Sequence, residues 1–330
     1  MEQRRLGATG LKVSRACLGT MTFGLQADQD CAFGILDHAA AAGVNFIDTA
    51  DSYPIGGGDT PAGRTETIVG RWLQGRRDRF IVATKCGMRM GERPWDAGLS
   101  RKHILDAVEA SLRRLGTDYL DIYQLHHPDP DTPMDESLRA LDDLVRAGKV
   151  RYTGISNHPA WWVARALGRS ETLGLTRFDC VQPRYNLLFR EMEREMLPMC
   201  AAEGLGVIVY NPLAGGLLTG KHDPVAPPNA GTRFSSEVGG ARYRERYWHE
   251  REFATVAALR SVAERAHLSL VQLAIAWVLS NPVVTAPIIG ASRSAQIDEL
   301  LAAFELCLTP ELKDELDALT AGYRQGDAPR

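Results

Sequence analysis

Hydrophobic and polar positions follow two recurring patterns along the chain. Short apolar runs of strand length occur eight times, and each is followed by an amphipathic stretch of about helical length. The apolar runs predict strands at residues 16–18, 44–48, 80–85, 119–126, 150–156, 180–182, 206–210 and 284–289. Helices are predicted to begin near Asp30, Thr65, Ser100, Pro133, Pro159, Arg190, Glu250 and Arg293.

This alternation predicts parallel β-α-β units, and eight units predict a closed (β/α)8 barrel of the TIM type. A short hairpin should precede the barrel, and a helical segment should follow it. The alternative is an open doubly wound sheet, in which a G-x-G-x-x-G fingerprint should open the first helix. "LGTMTFG" has a different spacing, and "GLGVIVY" runs into a predicted strand. With no Ser/Pro/Gly-rich linker, residues 1–330 are predicted to form a single domain.

Composition then excludes several classes of function. A net charge of -3, with arginines scattered among acidic residues, argues against a nucleic-acid partner. No apolar run approaches the roughly 18 residues of a membrane-spanning helix. The six cysteines occur singly, without a C-x-x-C pair or zinc-ligand spacing, and are interpreted as reduced thiols. We therefore expect a soluble cytoplasmic protein without a bound metal.

Polar residues lie at the C-terminal ends of the predicted strands, where barrels of this type carry their functional residues. They are Asp48 with Tyr53 in the following loop, Lys85, His126, Ser156 with Asn157, Gln182 and Tyr210. Each residue alone has an ordinary explanation, such as capping a turn or being solvated. Four ionisable types at neighbouring strand ends nevertheless predict one shared cavity.

The ionisable residues indicate a specific chemistry. A phenol has an ordinary pKa of about 10, and a neighbouring ammonium lowers it. Lys85 could supply that charge to Tyr53, and Asp48 would keep the lysine protonated. With His126 as a second donor, the set predicts protonation of a carbonyl oxygen while an aldehyde or ketone is reduced to an alcohol. Because no side chain supplies hydride, a nicotinamide cofactor is predicted.

The remaining strand-end residues suit that cofactor. The amides of Asn157 and Gln182, with the hydroxyl of Ser156, could hold the nicotinamide carboxamide. The ring of Tyr210 could stack on the nicotinamide.

These residues lie in segments that resemble the aldo-keto reductases, a family of NADPH-dependent (β/α)8 barrels. The segments are "GVNFIDTADSY", "FIVATK", "LDIYQLH", "GKVRYTGISN", "VQPRYNLL", "YNPLAGGLLTGK" and "IIGASRSAQIDEL", in family order over nearly the whole chain. "GTMTFG" and "PLAGGLLTGK" are most similar to the bacterial branch that includes the potassium-channel β-subunit type. The resemblance implies that Asp48, Tyr53, Lys85 and His126 are the catalytic residues.

The resemblance also implies the cofactor-binding residues. They are Gly19, Thr20, Asp48, Ser156, Asn157, Gln182, Tyr210, Asn211, Pro212, Leu213, Gly215, Leu217, Lys221, Ile289, Gly290, Ser292, Arg293, Gln296 and Glu299. Residues 211–218 would follow the pyrophosphate, and the residues from Ser292 onward would hold the adenosine end. NADPH is preferred over NADH because the Arg293 guanidinium would pair with a 2′-phosphate.

Several alternatives stay open. The family pattern selects His126 through Asp129, with His127 as the alternative. A barrel aldolase that forms a Schiff base on Lys85, or a cofactor-binding auxiliary subunit with little turnover, is the alternative function.

The only partner predicted is a small-molecule carbonyl compound: a small aldehyde, a keto sugar or a cyclic ketone. The reaction direction and the oligomeric state are undetermined. Residues 54–63 are predicted to border the substrate pocket, and residues 221–247 form either a binding loop or a solvated excursion. Candidate apolar wall residues are Met88, Met90, Trp95 and Phe234.

Overall fold

A closed barrel of eight parallel strands forms the centre of the molecule, as predicted. The computed structural model describes residues 1–55, 61–236 and 239–326. The barrel strands are β3 (Cys17–Gly19), β4 (Phe46–Asp48), β5 (Ile81–Cys86), β6 (Leu120–Leu125), β7 (Val150–Ser156), β8 (Cys180–Gln182), β9 (Gly206–Val209) and β10 (Val284–Ile289). They pair in chain order, and β10 closes the ring by pairing with both β9 and β3. Each predicted strand overlaps an observed one.

Helices surround the barrel and fill the connections between strands. They are α1 (Gln29–Ala41), α2 (Arg64–Leu73), α3 (Arg101–Leu115), α4 (Met134–Arg146), α5 (Ala160–Leu173), α6 (Met196–Glu203), α7 (Gly240–Tyr247), α8 (Glu250–Arg265), α9 (Leu270–Leu279), α10 (Ala295–Ala302) and α11 (Pro310–Leu319). Ser100 begins α3 as predicted, because its side chain accepts a hydrogen bond from the His103 backbone N–H. α10 is the helix predicted near Arg293, and α11 forms the predicted C-terminal helical segment.

The helix predictions fail in three places. The helix expected near Arg190 is a single 3-10 turn at Glu191–Glu193, and α6 begins only at Met196. Neither α7 nor α9 was anticipated. α9 carries a recognisable start signal, since Ser269 and Gln272 form a reciprocal capping box.

A hairpin closes the N-terminal end of the barrel. Strands β1 (Gln3–Arg5) and β2 (Lys12–Ser14) pair in antiparallel fashion. Leu6 and Val13 of this hairpin pack in one hydrophobic cluster with residues of the barrel strands. Gly206 at the start of β9 makes room for the hairpin, because a Cβ there would lie 2.5 Å from Leu6 Cδ1. The opposite, C-terminal end of the barrel is left for the polar residues.

The second layer of the core lies between the strands and the helices. Every residue of α9 except Gln272 is buried in it. No single helix of the described ranges is long and apolar enough to cross a membrane. Taken together, α8 and α9 have the length and apolar composition of a membrane-spanning helix, but they are bent by 92° at the break between them.

Candidate active site

Three neighbouring strands bring the four predicted catalytic residues together. Asp48 is the last residue of β4, Lys85 lies one residue before the end of β5, and His126 directly follows β6. Tyr53 lies in the loop after β4. All four side chains are buried, with at most 8% of their surface exposed. The structure brings these four side chains together at the C-terminal end of the barrel strands.

Lys85 is the centre of this cluster. Its ammonium donates to Asp48 Oδ2 at 2.6 Å, to the Thr49 carbonyl at 2.8 Å and to the Tyr53 hydroxyl at 3.5 Å. The side chain is fully buried. A buried ammonium is stable only where donors and charge are matched by partners, and these three oxygens match its three hydrogens.

Asp48 has two further donors that hold its second oxygen. The side-chain amides of Gln124 on β6 and Gln182 on β8 donate to Asp48 Oδ1 at 3.2 Å and 2.7 Å. Gly154 on β7 leaves room for this arrangement, because a Cβ there would lie 2.8 Å from Gln124 Cγ. Sequence reasoning missed Gln124, although its place within a buried apolar strand was a signal. Gln182 was predicted for the carboxamide, and here its amide nitrogen serves the carboxylate.

His126 stands across from Tyr53. The centroids of the two rings are 5.9 Å apart, with an angle of 75° between the planes. His127 stacks on the outer side of His126 at 4.8 Å and is half-buried. His126 Nδ1 has no hydrogen-bond partner among the described residues. The geometry therefore favours His126 over His127 as the imidazole nearest the phenol.

Electrostatics determine the protonation states in this cluster. Burial raises the pKa of Tyr53, Lys85 lowers it and Asp48 raises it, so the net pKa lies above the ordinary value. The sequence predicted a net lowering of the Tyr53 pKa, and that prediction is wrong for this structure. Lys85 does act in the predicted direction. Burial lowers the pKa of Lys85, but Asp48 and Tyr53 raise it, and its net pKa is also above the ordinary value. At neutral pH the phenol keeps its proton and the ammonium keeps its charge.

The imidazole of His126 is neutral at neutral pH. Burial, Lys85, His127 and Arg242 all lower the pKa of His126 well below its ordinary value. A neutral imidazole carries one N–H and remains a hydrogen-bond donor without adding a second positive charge.

A cavity of about 350 Å³ opens above these residues and extends towards β10 and α10. Asp48, Tyr53 and His126 line it, whereas Lys85 lies beneath the surface. Of the residues predicted to bind a cofactor, all but two line this cavity: Gly19, Thr20, Asp48, Ser156, Asn157, Gln182, Tyr210, Asn211, Pro212, Leu213, Gly215, Lys221, Ile289, Gly290, Ser292, Gln296 and Glu299. The exceptions are Leu217, which is packed in the core, and Arg293, which is exposed outside the lining.

The amide group of Asn157 bridges two parts of the cavity wall. Its nitrogen donates to the His126 carbonyl at 2.9 Å and to Ser156 Oγ at 3.0 Å. Its oxygen accepts from the Tyr210 hydroxyl at 2.8 Å. The backbone of Asn157 is left-handed, with φ of 61°, a conformation that asparagine tolerates better than most residues. This turn at the end of β7 aims the side chain back across the cavity.

The long segment 221–247 contributes to the cavity, which favours a binding loop over a solvated excursion. Its lining residues are Lys221, Gly231, Thr232, Arg233, Ser236, Gly239, Arg242, Tyr243 and Arg246. Gln26 donates to the Gly231 carbonyl at 2.9 Å and ties the loop to the other side of the barrel mouth. Sequence reasoning noted the loop as arginine-rich but assigned none of its arginines to the cavity.

The proposed apolar wall is not formed by the residues first suggested. Met88, Met90, Trp95 and Phe234 do not line the cavity. Phe234 is instead buried between His222, Tyr243 and Trp248. From the loop after Tyr53, Ile55 reaches the cavity, and residues 56–60 of that loop lie outside the described residues.

Comparison with known proteins agrees with this fold. The model of the aldo/keto reductase family matches residues 15–321. The chain therefore belongs to the aldo/keto reductase family, as the motifs predicted, and membership implies oxidoreductase activity. Enzymes of this family generally use NADH or NADPH.

Three relatives show the range of proteins to which the chain is similar. It is 40% identical to "Uncharacterized oxidoreductase YrpG" of Bacillus subtilis (strain 168), over 98% of this chain and 97% of that protein. It is 37% identical to "Probable voltage-gated potassium channel subunit beta" of Arabidopsis thaliana, over 96% of each chain. It is 35% identical to "Versiconal hemiacetal acetate reductase" of Aspergillus parasiticus, over 94% of each chain.

Proposed function

We propose that this protein is an NADPH-dependent reductase of aldehydes or ketones, in which Tyr53 is the general acid. The observation that carries the proposal is the buried contact of Lys85 with both Asp48 and Tyr53, opposite the neutral His126. A protonated phenol and a neutral imidazole N–H that face one cavity are suited to a carbonyl oxygen that gains negative charge.

Each residue has a separate task in the proposed reaction. The bound cofactor would supply hydride to the carbonyl carbon. Tyr53 gives its hydroxyl proton to the carbonyl oxygen, and His126 donates a hydrogen bond to the same oxygen. Lys85 stabilises the phenolate that remains, because its ammonium lowers the pKa of Tyr53. Asp48, held by Gln124 and Gln182, keeps the ammonium oriented.

The choice of NADPH rests on three cations: Lys221 and Arg233, which line the cavity, and Arg293, which is exposed outside its lining. Burial, Arg293 and Arg233 all lower the pKa of Lys221, so the three charges lie within range of one another. The Lys221 ammonium has no hydrogen-bond or ion-pair partner among the described residues. Cations brought together without an acidic partner favour an anion between them, and the 2′-phosphate of NADPH is such an anion.

The Schiff-base alternative is disfavoured by the state of Lys85. An amine must be neutral to attack a carbonyl, but Asp48 and Tyr53 raise the pKa of this one above its ordinary value. Its three hydrogens are also engaged by oxygens of the protein.

The direct test is to measure oxidation of NADPH, and separately of NADH, in the presence of a panel of neutral and charged aldehydes and ketones. We expect NADPH oxidation with at least one class of carbonyl, and less with NADH. If the protein binds NADPH but turns over none of these compounds, the auxiliary-subunit alternative is supported and the proposed function is wrong.

A further inference from the structure

Helix α7 presents two arginines to the cavity that no other part of the described chain neutralises. Arg242 and Arg246, one turn apart, both line the cavity. Neither guanidinium forms a hydrogen bond or an ion pair within the described ranges. The neighbouring Arg244 differs, because it donates to the Phe234 carbonyl and holds the loop. Within the part of the chain that the structure describes, no hydrogen bond or ion pair explains the positions of Arg242 and Arg246.

These two arginines line the same cavity as Tyr53 and His126, and Arg246 also lines a neighbouring pocket with Asn157 and Tyr210. Burial lowers the pKa of His127 to about 4, and Arg242 and Arg246 add to that lowering. Arg242 also lowers the pKa of the neighbouring His126. Lys221 and Arg233 line the same cavity, and Arg233 donates to the hydroxyl of Tyr243, the residue that follows Arg242. Positive charge from the segment 221–247 is thus spread along the cavity wall.

The described part of the cavity wall provides little negative charge to balance Arg242 and Arg246. Among the described lining residues, the carboxylates are those of Asp48 and Glu299. Asp48 is already paired with Lys85. Glu299 is on α10, near Ser292 and Gln296, where the adenosine end of a cofactor is predicted. In the described part of the wall, positive charge therefore exceeds negative charge beside His126 and His127.

We propose that the substrate is an anionic carbonyl compound: a small aldehyde or ketone that also carries a carboxylate or a phosphate ester. Its carbonyl oxygen lies against Tyr53 and His126, and its anionic group is bound by Arg242 and Arg246. Guanidinium groups bind carboxylates and phosphates through paired, charge-assisted hydrogen bonds. Positive charge at the cavity mouth also speeds the encounter with an anion. This inference rests on the proposed function and adds the substrate class to it.

The anionic group takes no part in the bond changes. Hydride from NADPH forms the new C–H bond at the carbonyl carbon, and the Tyr53 proton forms the O–H bond as the C=O π bond is lost. The carbonyl compound is reduced to an alcohol and NADPH is oxidised to NADP⁺. The arginines act only by binding and orienting the substrate.

The experiment compares matched pairs of substrates with NADPH. Succinic semialdehyde is paired with butanal, and glyceraldehyde 3-phosphate with glyceraldehyde. The quantity measured is the ratio of kcat/KM for the anionic member to that for the neutral member, in the unaltered chain, in Arg242→Gln, in Arg246→Gln and in the double variant. Arg113→Gln is the matched control, because Arg113 is an exposed residue of α3 outside the cavity.

We expect the anionic member of at least one pair to be preferred, and the pair identifies whether the group is a carboxylate or a phosphate. Each arginine substitution should lower that ratio by about tenfold, the effect of losing one charge-assisted hydrogen bond. Arg113→Gln should leave the ratio unchanged. Added salt should lower kcat/KM of the anionic substrate more than that of its neutral partner.

Failures of the two proposals are distinguishable. The substrate inference is overturned, while carbonyl reduction stands, if kcat/KM is equal for the anionic and neutral members of both pairs. It is also overturned if the arginine variants leave the ratio unchanged. Absence of turnover with every member of both pairs and with the wider panel overturns the proposed function itself.

Discussion

Two regions of the cavity are built in different ways. Asp48, Lys85 and Gln182 belong to barrel strands, are almost fully buried, and are joined by hydrogen bonds of 2.6 Å and 2.7 Å. Lys221, Arg233, Arg242 and Arg246 come from the long segment 221–247, and their side chains are half-buried or exposed. Strands hold the residues that orient and tune the phenol of Tyr53, while the long segment carries the charges proposed to select cofactor and substrate.

This difference separates two kinds of mutational effect. In the buried cluster each polar group is the partner of another, so removing one leaves a buried charge or donor without its match. On the loop, a removed charge is replaced by water at small cost to stability. Substitutions in the cluster should therefore affect chemistry and stability, and substitutions on the loop should affect recognition.

The largest expected effect is that of Tyr53→Phe. Carbonyl reduction should fall by about a hundredfold to ten-thousandfold, the usual contribution of a general acid. NADPH binding, followed by quenching of tryptophan fluorescence, should remain, because only the hydroxyl is removed. Near-normal turnover of any carbonyl substrate would show that the proton comes from another group.

Lys85→Met should combine loss of activity with loss of stability. It leaves the Asp48 carboxylate buried without its cation, which typically costs about 3–5 kcal/mol of unfolding free energy. Because Lys85 lowers the pKa of Tyr53, any remaining reduction should have its alkaline limb at higher pH.

The double variant Asp48→Asn/Lys85→Met serves as the control for that prediction. It removes both charges and should recover part of the stability lost in Lys85→Met, as measured by urea unfolding. No recovery would mean that Lys85 stabilises the fold by packing alone.

Arg233→Ala, in the segment 221–247, and Arg293→Ala, between β10 and α10, should change cofactor preference and leave stability nearly unchanged. Each should weaken NADPH relative to NADH by about five- to thirtyfold, corresponding to one charge-assisted hydrogen bond. Dissociation constants for both cofactors provide the measurement.

Tyr243→Phe distinguishes the effect of the Arg233 charge from the effect of its hydrogen bond within the loop. Arg233 donates to the Tyr243 hydroxyl at 3.2 Å. This variant removes that bond but keeps the cation, and it should affect both cofactors equally. Equal losses in the arginine variants would place the 2′-phosphate elsewhere.

The smallest effect concerns His222, which is buried beside the rings of Phe234 and Trp248 at 5.0 Å and 5.2 Å. Burial and Lys221 lower its pKa to about 4. Between the ordinary value of 6.5 and pH 4, the unfolded chain therefore binds more protons than the native protein, and stability falls as pH falls. In His222→Phe this slope should be shallower when the melting temperature is compared at pH 7 and pH 5. An identical slope would show that the imidazole titrates normally.

Sequence patterns predicted the barrel well because each strand is a short apolar run with its own turn signals. They failed for α9, whose apolar residues give no amphipathic face because the helix is buried on all sides. Periodicity of apolar residues predicts a helix with one buried face, but it does not predict a helix that is buried on all sides.

Within the site, the residues at strand ends could be predicted because the register of a parallel barrel places them at one edge. The position of Gln124 within an apolar strand was a signal, but its contact with Asp48 was not predictable, since it joins segments far apart in sequence. The same holds for the arginines of the segment 221–247. The net rise in the pKa of Tyr53 was also beyond the sequence, because neighbouring charges can be guessed from a motif but the depth of burial cannot.

The contacts of Asp48 also concern how the molecule assembles. Its partners Lys85, Gln124 and Gln182 are 37, 76 and 134 positions away along the chain and belong to β5, β6 and β8. Contacts of such long range form slowly, because bringing their ends together costs the conformational entropy of the intervening chain. A half-assembled barrel would bury an unmatched carboxylate, so the appearance of enzymatic turnover during refolding would report that the ring of strands has closed.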